Sequence, residues 1–263
     1  MYRLDLLVTV CQIDNVPKNF EKCLIQLEDY LTKNKTEILL FPEMPFSEWL
    51  AAKKISNSKK WEKAVKDHEK IIDSLKKFNA NYIIATRPII DENNKFLNQA
   101  FLFEKNTNTI KRVHEKYYLP DDEGFWEASW YSRGNKEFKP FNVGDVKVGL
   151  QICTDMWFFQ HAREYANKKI DLLCVPRATP YASLKKWTIG GKTAAMVSGS
   201  YCLSSNLYNP IGEGADLGGI GWIISPEGEI IKSTNANRPF VTMDIDINDS
   251  RKAKTTYPRY VKE

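Results

Sequence analysis

The stretch VKVGLQICTDMWFFQHAR, residues 146–163, places Cys153 at the end of an apolar run and follows it with a polar turn and an amphipathic segment. The apolar run predicts a buried β-strand, and the segment that starts near Trp157 predicts a helix. In open α/β sheets, ligands bind beyond the carboxyl ends of the strands. Cys153 is therefore either a small buried core residue or a nucleophile at a strand end.

Strand and helix patterns alternate on both sides of this stretch. Apolar runs predict strands over 4–13, 36–43, 81–90, 96–104, 109–120, 145–153 and 170–178, and then over 201–206, 219–226, 228–234 and 239–247. Helical spacing of apolar residues predicts helices around 20–31 and over 53–77, 158–169 and 186–200. No composition break or low-complexity tract divides the chain. We therefore predict a single domain over residues 1–263, with two sheets and helices on their outer faces.

The composition is that of a globular protein. Of the 263 residues, 43% are hydrophobic, which supplies a sizeable core, and 27% are charged. The net charge of +5 has its most visible source in the lysine-rich stretch 53–77. Because apolar residues recur there at helical spacing, we interpret the lysines as the solvated face of an amphipathic helix. No nucleic-acid motif accompanies them, and no nucleic-acid partner is expected.

Neither a membrane anchor nor a signal peptide is expected. No apolar stretch reaches the roughly 20 residues that a membrane helix needs, and the amino-terminal MYRLDLLVTV carries charges inside its apolar run. The five cysteines are widely spaced and form no C-x-x-C pair, which argues against a disulfide framework and a zinc knuckle. A reducing cytoplasm is the expected location.

Three reactive side chains each follow an apolar run directly: Glu43 after ILLFP, Lys116 after IKRVHE and Cys153 after VGLQI. Taken singly, they have structural explanations as a turn residue, a surface charge and a core cysteine. Together they supply what a thiol nucleophile needs, because a nearby base or cation favours the reactive thiolate. Glu43 could accept the thiol proton, and Lys116 could stabilise negative charge that develops on a substrate. The helix predicted near Trp157 adds positive partial charge at its amino end.

The histidines are not spaced as metal ligands. His68, His114 and His161 form neither H-E-x-x-H nor H-x-H, so we interpret them as structural. Asp155 is also interpreted as structural, because an aspartate at the start of a helix caps free N–H groups. No metal and no organic cofactor are expected.

The segments around the three reactive residues resemble those of the nitrilase superfamily of carbon–nitrogen hydrolases. LLFPEMPFSEW (39–49) is similar to the family's glutamate segment, VHEKYYLP (113–120) to its lysine segment and VGLQICTDMWFFQHAR (148–163) to its nucleophile segment. The similarity continues in the family's order through IDLLCVPRATP, KWTIGGKTAA, YCLSSN, GGIGWIISPEGEII and MDIDI. This resemblance implies an α/β fold, a four-layer α-β-β-α sandwich of two sheets with helices outside.

The resemblance also implies roles for the site residues. Cys153 is the expected nucleophile and Glu43 the general base. Lys116 is the expected cation that holds the tetrahedral intermediate, together with the backbone N–H of Thr154. Thr154 itself stands where several amidases of the family have a tryptophan.

Further candidate residues lie in loops. GFWEASWYSRG (124–134) is similar to a family segment with an assisting glutamate and points to Glu127, whose alternative is a solvated acidic turn beside 121–123. Aromatic residues near the motifs could line the pocket or pack in the core: Phe46, Trp49, Trp126, Trp130 and Trp157. Of these, Trp126 and Trp157 are the substrate-binding candidates. Glycines suggest a tight loop that borders the site or only connects strands: Gly212, Gly214, Gly218 and Gly219.

The function implied is hydrolysis of a non-peptide C–N bond in a small amide or N-carbamoyl compound, with release of ammonia through a cysteine thioester. A nitrilase that converts a nitrile to an acid is the first alternative, because the same three residues would serve it. A catalytically silent interaction scaffold is the alternative from another class. An ammonia-supplying synthetase domain is disfavoured, since the sequence has no nucleotide-binding motif. The family also implies a homodimer or a larger homo-oligomer.

Overall fold

The first half of the chain alternates strands and helices in the computed structural model, which describes residues 4–209 and 215–261. Its elements are β1 (Asp5–Asp14), α1 (Pro17–Lys33), β2 (Thr36–Leu40), α2 (Ser58–Ile72), β3 (Ala80–Ile90), β4 (Phe96–Glu104), β5 (Thr109–Glu115) and the short α3 (Glu127–Trp130). The predicted helix over 53–77 is shorter than expected. It begins after Asn57, whose side chain caps the helix by accepting the backbone N–H of Lys60.

The second half repeats the alternation and ends in short strands. Its elements are β6 (Phe141–Val143), β7 (Val146–Leu150), α4 (Phe159–Asn167), β8 (Leu172–Arg177), α5 (Leu184–Ser198), β9 (Tyr201–Asn209), β10 (Leu217–Gly218), β11 (Trp222–Ile224), β12 (Ile230–Ser233), β13 (Phe240–Asp246) and α6 (Ile247–Ala253). The predicted strands over 109–120 and 145–153 both end early, at Glu115 and Leu150. Lys116 and Cys153 therefore lie just beyond the strands and not inside them.

Strand β1 belongs to two sheets. Its residues Val8–Val10 pair in parallel with Ile38–Leu40 of β2, while Gln12–Asp14 pair in parallel with Asn206–Tyr208 of β9. The first sheet has the order β5-β4-β3-β2-β1-β13, and the second continues through β9, β8, β7 and β6. The two sheets are thus joined along one strand that passes from one to the other.

The expected α-β-β-α layering is confirmed. On the outer face of the first sheet, Leu27 of α1 and Trp61 of α2 pack in one core with Ile83 of β3. The opposite face of that sheet packs in a second core with β7 and β8 of the other sheet. Helices α4 and α5 cover the far side of the second sheet. Gly149 permits this contact, because a Cβ there would lie 2.9 Å from the Tyr165 ring.

None of the described helices combines the length and apolar composition that crossing a membrane requires.

Leu27→Ala should lower the free energy of unfolding by about 2–5 kcal/mol, because Leu27 is fully buried between α1 and the sheet and the substitution leaves a cavity. Ile25 lies on the same helix with 52% of its surface exposed. Ile25→Ala should therefore change the free energy of unfolding by less than about 1 kcal/mol. Urea denaturation followed by circular dichroism measures both values. Equal losses of unfolding free energy in the two variants would mean that Leu27 does not belong to the core of the first sheet.

Candidate active site

Glu43 lies in a tight turn that follows β2. Its backbone N–H donates to the carbonyl oxygen of Arg177 at 3.2 Å, at the end of β8. The next residue, Met44, has a φ of +40° and donates its N–H to Thr86 Oγ1 at 2.7 Å. The positive φ is strained for a non-glycine residue, and it persists because neighbouring strands hold the turn on both sides.

Lys116 is the first residue after β5. Its backbone N–H donates to the carbonyl oxygen of Asn98 on β4 at 2.9 Å, and its own carbonyl oxygen accepts the N–H of Gly134 at 2.9 Å. Gly134 approaches so closely that a Cβ there would lie 2.5 Å from Cβ of Glu115. These contacts fix the backbone from which the lysine side chain extends into the protein.

Cys153 opens a 3₁₀ turn, Cys153–Trp157, that precedes α4. The α-helix expected to start near Trp157 begins at Phe159, and the cysteine itself stands at the start of the tighter turn that precedes this helix. Cys153 has a φ of +49°, a left-handed conformation that costs about 1–2 kcal/mol for an L-residue. Its side chain is buried, with Sγ 4.0 Å from the carbonyl oxygen of Ala178.

A buried ion cluster joins three of the predicted site residues. Lys116 Nζ lies 2.7 Å from Glu43 Oε1 and 2.5 Å from Glu127 Oε2, and all three side chains are fully buried. Asn98 donates to Glu43 Oε1 at 2.7 Å, and the Tyr131 hydroxyl donates to Glu127 Oε2. Glu127 is thus not part of a solvated acidic turn.

Burial dominates the electrostatics of this cluster. It raises the pKa of Glu127 to about 8, against the opposing effect of Lys116. It also raises the pKa of Glu43, where Lys116 again opposes the shift. For Lys116, burial favours the neutral amine, but Glu127 and Glu43 outweigh it and the pKa lies above its usual value. The single lysine cation can balance the charge of only one of the two carboxylates. The other carboxyl group can therefore retain a proton.

The Cys153 thiol lies within electrostatic reach of this cluster. Burial and the Glu43 carboxylate raise the pKa of the thiol, while Lys116 acts to lower it. The thiol is therefore protonated at neutral pH and needs a base to become nucleophilic. Glu43 Oε2 and Glu127 Oε1 have no hydrogen-bond partner among the residues that the structure describes, so each glutamate has an acceptor available for a proton or a substrate.

Asp155 has a structural position, as expected, but it does more than cap a turn. Its Oδ2 accepts the backbone N–H of Ile152 at 3.1 Å and lies 2.9 Å from His114 Nε2. Its Oδ1 accepts the N–H groups of Tyr117 at 3.3 Å and Tyr118 at 2.9 Å. One carboxylate therefore ties the turn that carries the cysteine to the segment that follows the lysine.

The other two histidines also make structural contacts. His68 Nε2 accepts the N–H of Phe46 at 3.2 Å, and His161 Nε2 lies 3.0 Å from the Tyr118 hydroxyl. Within residues 4–209 and 215–261, no group of three or more His, Cys, Asp or Glu side chains is arranged to hold a metal ion.

A cavity of about 240 Å³ opens above Cys153 and Glu127. It is lined by Pro120, Asp122, Phe125, Glu127, Cys153, Thr154, Trp157, Ala178, Thr179, Pro180 and Trp187. Thr154 lies in the first turn after the cysteine, where backbone N–H groups have no acceptor inside the turn. The volume is below the range typical of drug-sized ligands, which favours a small substrate.

Of the five aromatic candidates, Trp157 alone lines this cavity, and its ring lies 5.2 Å from that of Trp187. Trp126 does not line it. The Trp126 ring instead packs against the core of the first sheet, with Lys54 Nζ 4.7 Å from its centroid. Phe46, Trp49 and Trp130 are buried in that same core.

The loop glycines border the cavity at one point. A Cβ at Gly218 would lie 2.4 Å from the backbone of Tyr181, next to Pro180 of the cavity wall. The close approach requires glycine there. Gly212 and Gly214 lie outside the described residues.

A carbon–nitrogen hydrolase family model matches residues 7–255, nearly the whole chain. The chain belongs to the carbon–nitrogen hydrolase family. The resemblance to the nitrilase superfamily that the motifs indicate is thereby confirmed. A crystal structure of a carbon–nitrogen hydrolase from Helicobacter pylori G27 has the same fold, with a TM-score of 0.86 at 21% identity over 98% of this chain and 94% of that one.

Two curated relatives match parts of this hydrolase-family chain. A citrullinase from Francisella tularensis is 32% identical over 149 residues, which cover 56% of this chain and 51% of the relative. An N-carbamoylputrescine amidase from Solanum tuberosum is 30% identical over 88 residues, which cover 34% of this chain and 29% of the relative. The matched region thus spans about half of the first relative and less than a third of the second.

Arg177, a fully buried cation near the candidate active site, was not identified from the sequence. It donates to Thr179 Oγ1 at 2.8 Å and to Ser204 Oγ at 2.7 Å, and its guanidinium lies 3.7 Å from the Trp222 ring centroid. Burial lowers the pKa of Arg177 to about 9. Arg177 holds the side chain of Thr179, and Thr179 lines the cavity. The position of Arg177 at the end of β8 was the available signal.

Glu127→Gln should change how stability depends on pH. Since burial raises the pKa of Glu127 to about 8, the folded protein binds a proton that the unfolded chain releases near its ordinary pKa of about 4.3. The stability from this proton is complete below the unfolded pKa and is lost as the pH rises through about 8. Between about pH 5 and 8, wild type should therefore lose stability relative to the variant, by up to about 1.4 kcal/mol per pH unit.

Urea midpoints at several pH values across this window give the difference. Glu123→Gln, at an exposed position in the same loop, serves as the control and should follow wild type. Parallel curves for wild type and Glu127→Gln would mean that Glu127 ionises at its ordinary pKa in the folded protein.

Proposed function

We propose that this protein hydrolyses a non-peptide C–N bond of a small amide or N-carbamoyl compound and releases ammonia. The observation that carries the proposal is that Cys153 and Glu127 line one small cavity, and that the buried Lys116 pairs with both Glu127 and Glu43 next to this thiol. A buried thiol, two carboxyl groups with raised pKa values and one ammonium group are the parts that nucleophilic attack on an amide carbon needs.

In the first stage, Glu43 takes the proton of the Cys153 thiol and the sulfur attacks the amide carbon. A C–S bond forms while the C=O electron pair moves to oxygen, where Lys116 and the backbone N–H of Thr154 stabilise it. The C–N bond then breaks as Glu43 returns its proton to the nitrogen. Ammonia leaves, and the acyl group stays on sulfur as a thioester.

In the second stage, water replaces ammonia. Glu43 accepts a proton from the water as its oxygen attacks the thioester carbon, and the C–S bond breaks as the thiol regains its proton. Glu127 is proposed to assist by holding the Lys116 side chain in place, since its Oε2 lies 2.5 Å from Lys116 Nζ. Its raised pKa of about 8 also lets it share a proton near neutral pH.

The N-carbamoyl class is the first choice among substrates. The relatives are named citrullinase and N-carbamoylputrescine amidase, and both names point to ureido compounds. Nitrile hydrolysis is the alternative, because the same nucleophile and base would serve it. A silent scaffold is disfavoured, because it has no use for three fully buried ionisable groups, whose burial is costly.

Cys153→Ala should abolish ammonia release and leave the fold intact, since a small side chain is removed without a large cavity. Ammonia release from a panel of amides, N-carbamoyl compounds and nitriles measures the loss and identifies the substrate class. Cys174→Ala is the matched control, a buried cysteine of β8 outside the cavity lining, and should retain turnover. Turnover by Cys153→Ala at the wild-type rate would remove Cys153 from the mechanism.

We propose a homodimer that uses the outer face of α5. Ile189 and Met196, two turns apart on this helix, are 56% and 39% exposed. Light scattering should give the mass of a dimer or a larger assembly, and Ile189→Glu should reduce it towards that of one chain. Ile25→Glu, an exposed change on α1, should not. A monomeric wild type would contradict the proposal.

A cytoplasmic location is also proposed. All five cysteines are free, including Cys153, which must stay reduced to act as a nucleophile. A reducing compartment is where such a thiol persists.

A further inference from the structure

Asn98, near the start of β4, contacts both members of the Glu43–Lys116 ion pair. Its side-chain Nδ2 donates to Glu43 Oε1 at 2.7 Å, and its backbone carbonyl oxygen accepts the N–H of Lys116 at 2.9 Å. The side chain is buried, with 1% of its surface exposed, and it does not line the cavity. Asn98 therefore touches the base and the cation but not the space that a substrate would occupy.

One end of the Asn98 amide has no partner. Asn98 Oδ1 makes no hydrogen bond within the described part of the chain. A buried acceptor without a donor destabilises a fold, so local packing alone does not explain an asparagine here. A rotated amide would bring Oδ1 against Glu43 Oε1, which places two acceptors together without a proton between them. The contact with the carboxylate therefore determines which way the amide points.

The two oxygens of the Glu43 carboxylate have different surroundings. Oε1 accepts from Asn98 Nδ2 and from Lys116 Nζ, each at 2.7 Å, and these two donors use its two lone pairs. Oε2 has no hydrogen-bond partner among residues 4–209 and 215–261, and the carboxyl group interacts with the Cys153 thiol. A proton that leaves Sγ of Cys153 can therefore be accepted at Oε2 while Oε1 keeps both of its donors.

The titratable groups that face the Glu43 carboxyl come from three segments. They are Lys116 after β5, Glu127 and Tyr131 at α3, and Cys153 and Asp155 in the turn after β7. Lys116 is the one cation in this set, and Glu127 also pairs with it. Burial raises the pKa of Glu43, and a hydrogen bond to the ionised carboxylate acts in the opposite direction. Asn98 supplies such a bond without adding a charge to the cluster.

We propose that Asn98 is a positioning residue that fixes Oε2 of Glu43 as the atom that accepts the Cys153 proton. This inference rests on the proposed function and adds a residue to its machinery. Asn98 makes no bond to the substrate and exchanges no proton. It acts through Glu43, by holding Oε1 and by favouring the carboxylate form that the first stage needs.

The first test follows the alkylation of Cys153 by iodoacetamide as a function of pH, with mass spectrometry of the Cys153 peptide. In wild type, the rate should rise through an inflection where Glu43 ionises, and Glu43→Gln should remove this inflection. Asn98→Leu keeps the approximate volume and removes the donor, so the pKa of Glu43 should rise. The inflection should move to higher pH by about one to two pH units. Asn98→Asp should move it further, because a second carboxyl group beside Glu43 disfavours its ionisation.

Gln99→Leu is the matched control. Gln99 is the next residue of β4 and is also fully buried, but successive side chains of a strand point to opposite faces of the sheet. Its amide contacts Arg87 and Glu115 instead of Glu43. Gln99→Leu should therefore leave the inflection at the wild-type pH. An equal shift in both variants would mean that loss of any buried amide from β4 perturbs the site, and it would overturn the role of Asn98.

A second measurement needs no substitution at Asn98. In protein labelled with ¹⁵N at asparagine side chains, one amide resonance should titrate at the pH of the alkylation inflection, since a hydrogen bond to a charged acceptor is stronger than one to a neutral acceptor. Glu43→Gln should abolish this titration. If the Asn98 variants do not fold, as circular dichroism would show, this titration decides the inference, and its absence from wild type refutes it.

The outcomes separate this inference from the proposed function. Cys153-dependent ammonia release with an unmoved inflection in Asn98→Leu would keep the hydrolase and refute the role of Asn98. An alkylation rate lowered equally at all pH values would also refute it, because that pattern indicates a structural role only. A shifted inflection in a protein that releases no ammonia from any compound of the panel would support Asn98 and count against the proposed reaction. Alkylation of wild type without a Glu43-dependent inflection would count against both.

Discussion

The carboxylate of Asp155 holds the two halves of the site in register. Its oxygens accept the N–H groups of Tyr117 and Tyr118, directly after the cluster lysine, and that of Ile152, directly before the cysteine. Leaving a buried N–H donor without its acceptor costs about 1–3 kcal/mol. Other placements of these two segments would break the hydrogen bonds to Asp155 and are therefore disfavoured. The separation of the lysine and cysteine segments is therefore determined by a buried residue outside the cavity lining.

The sandwich is what brings the nucleophile to its base. Glu43 and Lys116 follow strands of the first sheet, whereas Cys153 follows β7 of the second. Their meeting point is buried, so the charges are poorly solvated and interact strongly. Burial raises the pKa of Glu127 to about 8, against the opposing effect of Lys116, and favours a retained proton on this carboxyl group.

Much of the site could be predicted, because strand ends are visible in a sequence. Glu43, Lys116 and Cys153 each follow an apolar run, and the structure brings them together. Glu127 was ambiguous because its acidic neighbours are typical of a solvated turn. The role of Trp126 in substrate binding stays a prediction: its ring packs against the core of the first sheet next to Lys54, while Trp187 of α5 lines the cavity.

By itself, the sequence determined the order of strands and helices, the buried face of each and the family, since apolar periodicity and local motifs are properties of short segments. Only the tertiary structure decided that Glu127 is buried against Lys116, that Cys153 adopts a left-handed φ and that Trp187 lines the cavity. Those features depend on which distant segments meet. Periodicity reports the faces of one element, whereas burial, pKa and pocket walls are set by the neighbours that packing supplies.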